Sequence, residues 1–300
     1  MRSSRTPATA ALVAALLVVT SCAGDTPAAP VTTRQPAAVE NVELKGAVNV
    51  RDLGGYRTGD GKQLRYGTVF RADALGKLTK ADRAEIDGLG LKSVIDFRVP
   101  VEVRSDGADK LLQGLTATPL PVDDTGLYER TMAAIVSGDS AKQHKALGGS
   151  KAERLMRRIY RNFASEQAAR RQFGRVIGEI TDGKRLPLLY HCTSGKNRTG
   201  WMSYVLLRAV GVPARTAEQD YLLSNDRRRS ADRRTRQGLE KAGLMPDSRL
   251  IVPLQEVRAD YLDAALTEID KRYGGFEAYL SKGLGLSEGT LAKLRSRLLR

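Results

Sequence analysis

Cysteine and histidine are scarce in this chain, with two residues of each among 300. Such a small supply leaves no ligand set for a structural zinc site, and we expect neither a metal nor a cofactor. Aromatic residues make up 5% of the chain, too few to suggest stacking platforms for single-stranded nucleic acid. The formal net charge of +15 favours anionic partners, but no motif indicates a specific nucleic-acid partner.

Residues 1–21 have the composition of a bacterial lipoprotein signal peptide. Two arginines precede an apolar core at 10–19, which is too short to span a membrane as a helix. The small residues before Cys22 resemble a lipobox, in which that cysteine is lipidated and becomes the mature N-terminus. An ordinary cleaved signal is the alternative. The sequence therefore predicts an extracytoplasmic protein that is lipid-anchored to the cell membrane or secreted.

Two further segments follow from composition. Residues 22–41 are rich in Ala, Pro and Thr and poor in large apolar side chains, which predicts a flexible tether. Residues 42–300 contain no linker and no internal repeat, so we expect one domain.

Residues 191–200, with the sequence HCTSGKNRTG, carry the strongest functional pattern. Cys192, five residues and Arg198 have the spacing of a loop that wraps a phosphate between a strand and a helix. The apolar run 186–190 predicts the strand, and apolar residues at helical spacing after the loop predict the helix, which Gly211 and Pro213 end. Loop N–H groups, the helix N-terminus and a guanidinium stabilise an anion and lower a thiol pKa. The pattern predicts phosphate-monoester hydrolysis through a phosphocysteine.

The chemistry assigns a role to each loop residue. Cys192 is the expected nucleophile, Arg198 the bidentate clamp on two phosphate oxygens, and Thr199 the donor that stabilises the departing sulfur. The loop residues expected to bind phosphate are Thr193, Ser194, Gly195, Lys196, Asn197 and Arg198. Lys196 is expected at the rim, where a merely solvated lysine is the alternative, and His191 is expected to brace the loop backbone. A nucleotide-binding P-loop is excluded because Asn197 follows the Gly-Lys pair where Ser or Thr is required.

The acid that protonates the leaving oxygen is less well marked. Asp123 and Asp124 follow an extended segment in a loop that could overhang the phosphate, and either is a candidate. An ordinary exposed aspartate is the alternative for both.

Strands that alternate with helices predict an α/β fold with a central, largely parallel sheet flanked by helices, a helical lid insertion at about 214–258 and a helical C-terminus. We expect strands at 93–97 and 116–122, a hairpin at 54–66, a short helix capped by Thr79, and helices at 151–162 and 165–180. Charged residues at 49–55 and 96–98 are expected in buried ion pairs at a sheet edge rather than in catalysis. A basic cluster is read either as a solvated helix face or as a substrate-steering surface: Arg227, Arg228, Arg229, Arg233, Arg234 and Arg236.

Several motifs together resemble the bacterial tyrosine-phosphatase-like family, over essentially all of 42–300. They are HCTSGKNRTG at 191–200, NVRDLGGY at 49–56, VFRAD at 69–73, VIDFR at 94–98, DYLLSND at 220–226 and the long segment 257–280. The resemblance implies a phosphatase α/β fold with a helical lid, metal-independent catalysis, and phosphotyrosine as substrate, often with phosphoserine, phosphothreonine and phosphoinositides. It also implies Cys192 as nucleophile, Arg198 as clamp and Lys196 as an extra loop cation.

One residue departs from the family pattern. Close relatives often carry Asp after the loop lysine as a proposed general acid, whereas this chain has Asn197, whose amide cannot supply a proton. Two readings compete with an active phosphatase. The first is a catalytically weak module that binds phosphate or lipid headgroups, and the second is another Cys-loop enzyme such as a sulfurtransferase or arsenate reductase.

Overall fold

The computed structural model describes residues 41–300. The predicted signal peptide, Cys22 and nearly all of the predicted tether lie outside the described residues. Among the helices that are described, none is both long and apolar enough to cross a membrane.

Five strands form one mixed, mostly parallel sheet in the order β1-β2-β5-β3-β4. The edge strand β1 is antiparallel to β2, and the other neighbours are parallel. The predicted α/β class with a largely parallel sheet is therefore confirmed. The strands are β1 Arg51–Asp52, β2 Val69–Ala72, β3 Ser93–Asp96, β4 Ala117–Pro119 and β5 Leu188–His191.

The central strand β5 pairs with β2 on one side and β3 on the other. Its last residue, His191, lies opposite both Ala72 and Asp96. The carboxyl ends of three parallel strands therefore meet at one edge, which is where ligands bind in open α/β sheets. Every residue of β5 is buried, including His191 at its end, as expected for a central strand of a parallel sheet.

Twelve α-helices surround the sheet within the described residues. In the first half they are α1 Lys80–Gly88, α2 Pro100–Asp106, α3 Leu127–Val136, α4 Ser140–Leu147, α5 Lys151–Ser165 and α6 Gln167–Asp182. In the second half they are α7 Asn197–Ala209, α8 Ala214–Lys241, α9 Val252–Gln255, α10 Ala259–Tyr273, α11 Phe276–Ala278 and α12 Glu288–Leu298. A 3₁₀ turn Ser248–Ile251 precedes α9, and a π turn Tyr279–Gly283 follows α11.

The helix ends follow the local sequence. Thr79 caps α1 in a capping box with Asp82, and Pro100 occupies the first turn of α2. Gly183 ends α6 in the left-handed conformation. The predicted helices at 151–162 and 165–180 are confirmed as α5 and α6, and the predicted stop after α7 is confirmed at Ala209. Helices α2, α3 and α4 were not predicted.

Two hydrophobic clusters cover the two faces of the sheet. Phe70, Val94 and Leu189 belong to the smaller cluster, together with Ile86 of α1. Their alternate neighbours, such as Ile95 and Tyr190, belong to the larger cluster with α5, α6 and α7. The sheet is thus buried between helical layers, as a parallel sheet requires.

The predicted hairpin at 54–66 is present as a chain reversal with little regular pairing. Leu64 N–H donates to Tyr56 O at 2.8 Å, and Arg57 bridges Gln63. Residues of the second arm also form backbone hydrogen bonds outside the hairpin, since Gln63 and Arg65 pair with residues 298–300 at the chain end. The ladder therefore extends toward the C-terminus instead of along the hairpin.

Candidate active site

The loop at 192–196 leaves β5 and enters α7, in the predicted order of strand, loop and helix. The first intrahelical bond runs from Gly200 N–H to Lys196 O at 2.8 Å, so the preceding loop N–H groups lie outside the helical ladder. Gly195 has φ +60°, and a Cβ there would lie 2.5 Å from Ala72 O. The loop is therefore packed against the end of β2 so closely that residue 195 must be glycine.

The loop is held from behind by two side chains. Asn49 Nδ2 and Arg71 Nη2 each donate to Gly195 O at 2.8 Å. Arg71 is bound in turn to Asp220 of α8, and Arg51 shares the same carboxylate through Nε at 3.0 Å. All three charged side chains are fully buried. The prediction of buried ion pairs is thus confirmed for Arg51, and the pair supports the loop.

Cys192 lies at the pocket floor with 2% of its surface exposed. Burial alone would raise the pKa of its thiol. The Arg198 charge and the hydroxyl and backbone N–H of Thr199 outweigh burial and lower the pKa below its ordinary value. The environment therefore favours the thiolate.

Arg198 forms a bidentate ion pair with Glu102 of α2. Nη1 donates to Oε2 at 2.7 Å and Nη2 to Oε1 at 2.5 Å, and Thr193 Oγ1 also donates to Oε1. Burial disfavours charge on Glu102, but Arg198 lowers its pKa, while Glu102 raises the pKa of Arg198 against burial. Glu102 thus fixes the guanidinium over the loop. Sequence reasoning missed it, although its place in the first turn of a proline-started helix was a signal.

Lys196 does not extend from the rim as expected. Its side chain is buried, and Nζ donates to the backbone carbonyls of Leu254 and Gln255 in α9. Asp232 Oδ2 lies 4.0 Å away. Burial lowers the pKa of Lys196 to about 7 despite that carboxylate. Carbonyls of the segment 214–258 thus hold the loop lysine.

Asn197 lines the pocket, and its Oδ1 accepts the Tyr160 hydroxyl at 3.1 Å. Tyr160 in turn accepts the hydroxyl of Tyr221 on α8 at 2.8 Å. The amide is therefore anchored by a buried tyrosine pair, and it offers the pocket no acidic proton.

His191 contacts a carboxylate instead of the loop backbone that we expected. Its Nε2 lies 2.9 Å from Asp109 Oδ2, and Nδ1 lies 3.9 Å from Asp96. Burial would lower the pKa of His191, but Asp109 raises it. His191, Asp109 and Asp96 lie close enough together to ligate a metal ion. The count of cysteines and histidines in the sequence did not reveal this group, because two of its members are aspartates. Arg98 bonds both carboxylates at 2.8 and 2.9 Å, so a guanidinium already balances their charge, in the buried ion pair predicted for 96–98.

A pocket of about 390 Å³ opens above Cys192. Five of the six loop residues that we expected to bind phosphate line the pocket: Thr193, Ser194, Lys196, Asn197 and Arg198. Gly195 is not among the described lining residues. The pocket walls include residues 46, 73, 74, 76 and 77 and two helical segments. The predicted segment 214–258 contributes Arg228, Asp232, Thr235, Ile251, Leu254 and Gln255, and the unpredicted α3 contributes Leu127, Tyr128, Thr131 and Ile135.

The two candidate acids separate in the structure. Asp123 is exposed, accepts Thr125 N–H at 2.9 Å, and is not among the described residues that line the pocket. Asp124 lines the pocket, and its oxygens accept Gly126 N–H at 3.0 Å and Tyr128 N–H at 2.9 Å. Burial raises the pKa of Asp124. Only Asp124 of this pair therefore reaches the pocket.

The basic cluster on α8 divides between two environments. Arg228 turns into the pocket, where it bonds Asp73 and Asp232. Arg233 and Arg234 are exposed, and Arg229 pairs with Asp226 at the surface. One member of the cluster therefore belongs to the pocket wall, while others have the solvated character of the alternative reading.

A model of the family described as "Tyrosine phosphatase family" matches residues 42–300. The chain belongs to the tyrosine phosphatase family. This phosphatase is a phosphoric monoester hydrolase by family, and the match spans the domain predicted at 42–300.

Curated relatives of this tyrosine phosphatase are similar over most of their length. The triple specificity protein phosphatase PtpB of Mycobacterium tuberculosis is 32% identical over 86% of this chain and 98% of its own. A putative tyrosine-protein phosphatase of Cupriavidus necator is 31% identical over 84% of this chain and 85% of its own. A tyrosine-protein phosphatase of Nostoc commune is 29% identical over 77% and 76%.

Proposed function

We propose that this phosphatase hydrolyses phosphate monoesters through a phosphocysteine at Cys192, with phosphotyrosine as its favoured substrate. The observation that carries the proposal is the buried Cys192 thiol, whose pKa Arg198 and Thr199 lower at the floor of an open pocket. A thiolate is the nucleophilic form of cysteine. No metal takes part in the proposed reaction.

In the first step, the Cys192 thiolate attacks phosphorus, an S–P bond forms, and the ester P–O bond breaks. Arg198 holds two equatorial oxygens while Glu102 fixes its plane, and the loop N–H groups bind the remaining charge. In the second step, water attacks phosphorus and the S–P bond breaks. The Thr199 hydroxyl stabilises the departing sulfur.

The substrate preference is argued from the pocket walls. The pocket is lined by Leu127, Tyr128 and Ile135 of α3 and by Ile251 and Leu254 of the segment 214–258. Apolar walls above a phosphate floor suit an aryl phosphate. The relative named a triple specificity protein phosphatase supports extending the range to phosphoserine, phosphothreonine or phosphoinositides.

We place the enzyme outside the cytoplasm, anchored through lipid on Cys22 or secreted. The signal-like composition of residues 1–21 supports this location. In this arrangement the tether at 22–41 holds the catalytic domain near phosphoprotein or phosphoinositide substrates at the membrane, and 214–258 is the lid.

The test is hydrolysis of p-nitrophenyl phosphate by residues 41–300 in EDTA, with Cys192→Ser as the matched control. We expect turnover by the native sequence, none above background by the variant, and a burst of phenol equal to the enzyme concentration. Vanadate should inhibit competitively. Phosphate binding without turnover would instead favour the alternative of a catalytically weak phosphate- or headgroup-binding module, to which Asn197 points.

A further inference from the structure

The leaving oxygen needs a proton that the loop does not supply. The side chain of Asn197 is an amide, and its Oδ1 is occupied by the Tyr160 hydroxyl. A phenol or alcohol leaves as an anion of high basicity unless an acid protonates it, and a positioned acid contributes roughly 10²–10⁴-fold. Lys196 is the other titratable group of the loop besides Cys192, and its Nζ donates to the carbonyls of Leu254 and Gln255. The donor is therefore sought among the carboxyl groups of the pocket.

Five carboxyl side chains line the pocket, and most are committed elsewhere. Glu102 is held ionised by Arg198 and Thr193. Asp232 Oδ1 accepts two bonds from Arg228. Burial raises the pKa of Asp124, but both of its oxygens accept backbone N–H groups of residues 126 and 128, which hold the carboxyl group against the start of α3. Asp106 ends α2 and accepts the Tyr128 hydroxyl at 3.2 Å.

Asp73 differs from these four in its position. Ala72 pairs with His191, so Asp73 and Cys192 are the next residues of two adjacent parallel strands and leave the sheet side by side. A Cβ on Gly195 would lie 2.7 Å from Asp73 N, which shows how closely the loop packs on this residue. The Asp73 side chain keeps 13% of its surface exposed, and the residue lines the pocket.

The hydrogen bonds of Asp73 orient its carboxyl group. Val48 N–H donates to Oδ1 at 2.8 Å, and Arg228 Nη1 donates to Oδ2 at 2.8 Å. Arg228 also bonds Asp232 through Nε and Nη2. Arg228 therefore keeps a carboxylate partner when Asp73 takes up a proton.

We propose that Asp73 donates the proton to the leaving oxygen. The inference rests on the proposed phosphocysteine mechanism. As the ester P–O bond breaks, its electron pair goes to the leaving oxygen, which takes the Asp73 proton and departs as a neutral phenol or alcohol. In the second step the Asp73 carboxylate takes a proton from the attacking water, and the acid is restored.

The titration of Asp73 supports the assignment. Burial raises its pKa to about 6, although Arg228, Val48 N–H and His191 favour the charged form. Besides the carboxyl groups named above, the charged side chains that line the same pocket are Lys77, Lys196, Arg198 and Arg228. A bound phosphate dianion adds negative charge beside the carboxyl and raises its pKa further. The acid form is therefore populated near neutral pH when substrate is bound.

The test compares Asp73→Asn with Asp124→Asn on two substrates. Phenyl phosphate needs protonation of its leaving group, whereas p-nitrophenyl phosphate has a leaving group that is stable as an anion. For Asp73→Asn, we expect kcat to fall at least about tenfold more on phenyl phosphate than on p-nitrophenyl phosphate. The fall of kcat with rising pH on phenyl phosphate should also disappear. Asp124→Asn should change both substrates by the same factor.

Asp73→Glu keeps a carboxyl group at this position. Its kcat on phenyl phosphate, relative to that on p-nitrophenyl phosphate, should therefore recover part of the loss seen for Asp73→Asn. A melting curve for each variant reports its folding separately from activity. Equal losses on both substrates for Asp73→Asn, or a selective loss for Asp124→Asn, would overturn the proposal. Absence of any Cys192-dependent turnover in the native sequence would instead contradict the proposed function itself.

Discussion

Two clusters of charged side chains lie at the loop that contains Cys192, and the pKa values of their members move in opposite directions. The first, Arg198 with Glu102, forms the clamp cluster, in which each partner moves the pKa of the other away from neutrality. The second, Asp73 with Arg228, Asp232 and Lys196, forms the wall cluster. There burial raises the pKa of Asp73 to about 6 and lowers that of Lys196 to about 7.

The difference lies in how completely each charge is matched. Glu102 meets Arg198 through two parallel hydrogen bonds, which recover the cost of taking both ions out of water. Lys196 meets two carbonyls and a carboxylate at 4.0 Å, and Asp73 shares its arginine with Asp232. The bidentate pair therefore keeps both groups charged. Asp73 and Lys196, whose charges are matched less completely, have pKa values at which they exchange protons near neutral pH.

The largest expected effect comes from breaking the clamp cluster with Glu102→Gln. Arg198 would be left buried without its carboxylate, so the free energy of unfolding should fall by about 3 kcal/mol. Turnover of p-nitrophenyl phosphate should fall roughly 10²-fold because the guanidinium loses its orientation. Denaturant unfolding and steady-state kinetics measure the two effects. Glu129→Gln, an exposed acid in the first turn of α3, is the control, and a similar loss there would contradict the reasoning.

The next largest effect is expected in the pH dependence of stability, when the native protein is compared with Lys196→Met. The folded protein releases the Lys196 proton near pH 7, and the unfolded chain holds it to about 10.5. The unfolded state thus binds more protons between these values, so stability rises with pH. From pH 7 to 9 this group should add about 2 kcal/mol to the native protein, and the variant should lack that increment. Lys241→Met, at an exposed position, should retain it.

A smaller effect is expected when an acid is restored to the loop. The native enzyme should favour phosphotyrosine strongly over phosphoserine peptides, because a phenol needs less help to leave than an alcohol. Asn197→Asp adds a carboxyl beside the phosphate and should raise kcat on phosphoserine peptides about tenfold. Equal native rates on the two peptides would refute the first expectation, and an unchanged variant would count against the second.

The smallest effect tests the wall cluster through Arg228→Gln. Loss of this cation removes a charge that favours the Asp73 carboxylate, so the pKa of Asp73 should rise. The pH above which kcat on phenyl phosphate declines should move upward, with a change of a few-fold in the rate at high pH. Arg229→Gln, whose partner Asp226 is at the surface, should leave the profile in place. A downward shift for Arg228→Gln would argue against Asp73 as the donor.

Local sequence was sufficient where the chemistry is continuous in the chain. Residues 186–213 contain the strand, the loop, its glycine and the following helix, so periodicity and spacing predicted all of them. The Thr79 cap and the helices at 151–162 and 165–180 followed from equally local signals.

Partners brought together by the sheet could not be found in this way. Glu102 lies 96 positions from Arg198 and Asp220 lies 149 from Arg71, and their pairing requires the strand order. Asp73 was visible in the VFRAD motif, but its position beside Cys192 depends on β2 pairing with β5. The expected rim position of Lys196 was wrong for the same reason, since the carbonyls that hold it belong to α9.

Helix α8 contributes both to the support of the loop and to the lining of the pocket. Asp220 anchors the arginine that holds Gly195 from behind, while Arg228, two turns and about 12 Å along the same helix, forms part of the wall in front. A small molecule that displaces α8 would therefore disturb the support of the loop at 192–196 as well as the lining of the pocket. An inhibitor of this enzyme therefore need not resemble phosphate. An uncharged compound that displaces α8 would change the surroundings of the Cys192 thiol without contacting it.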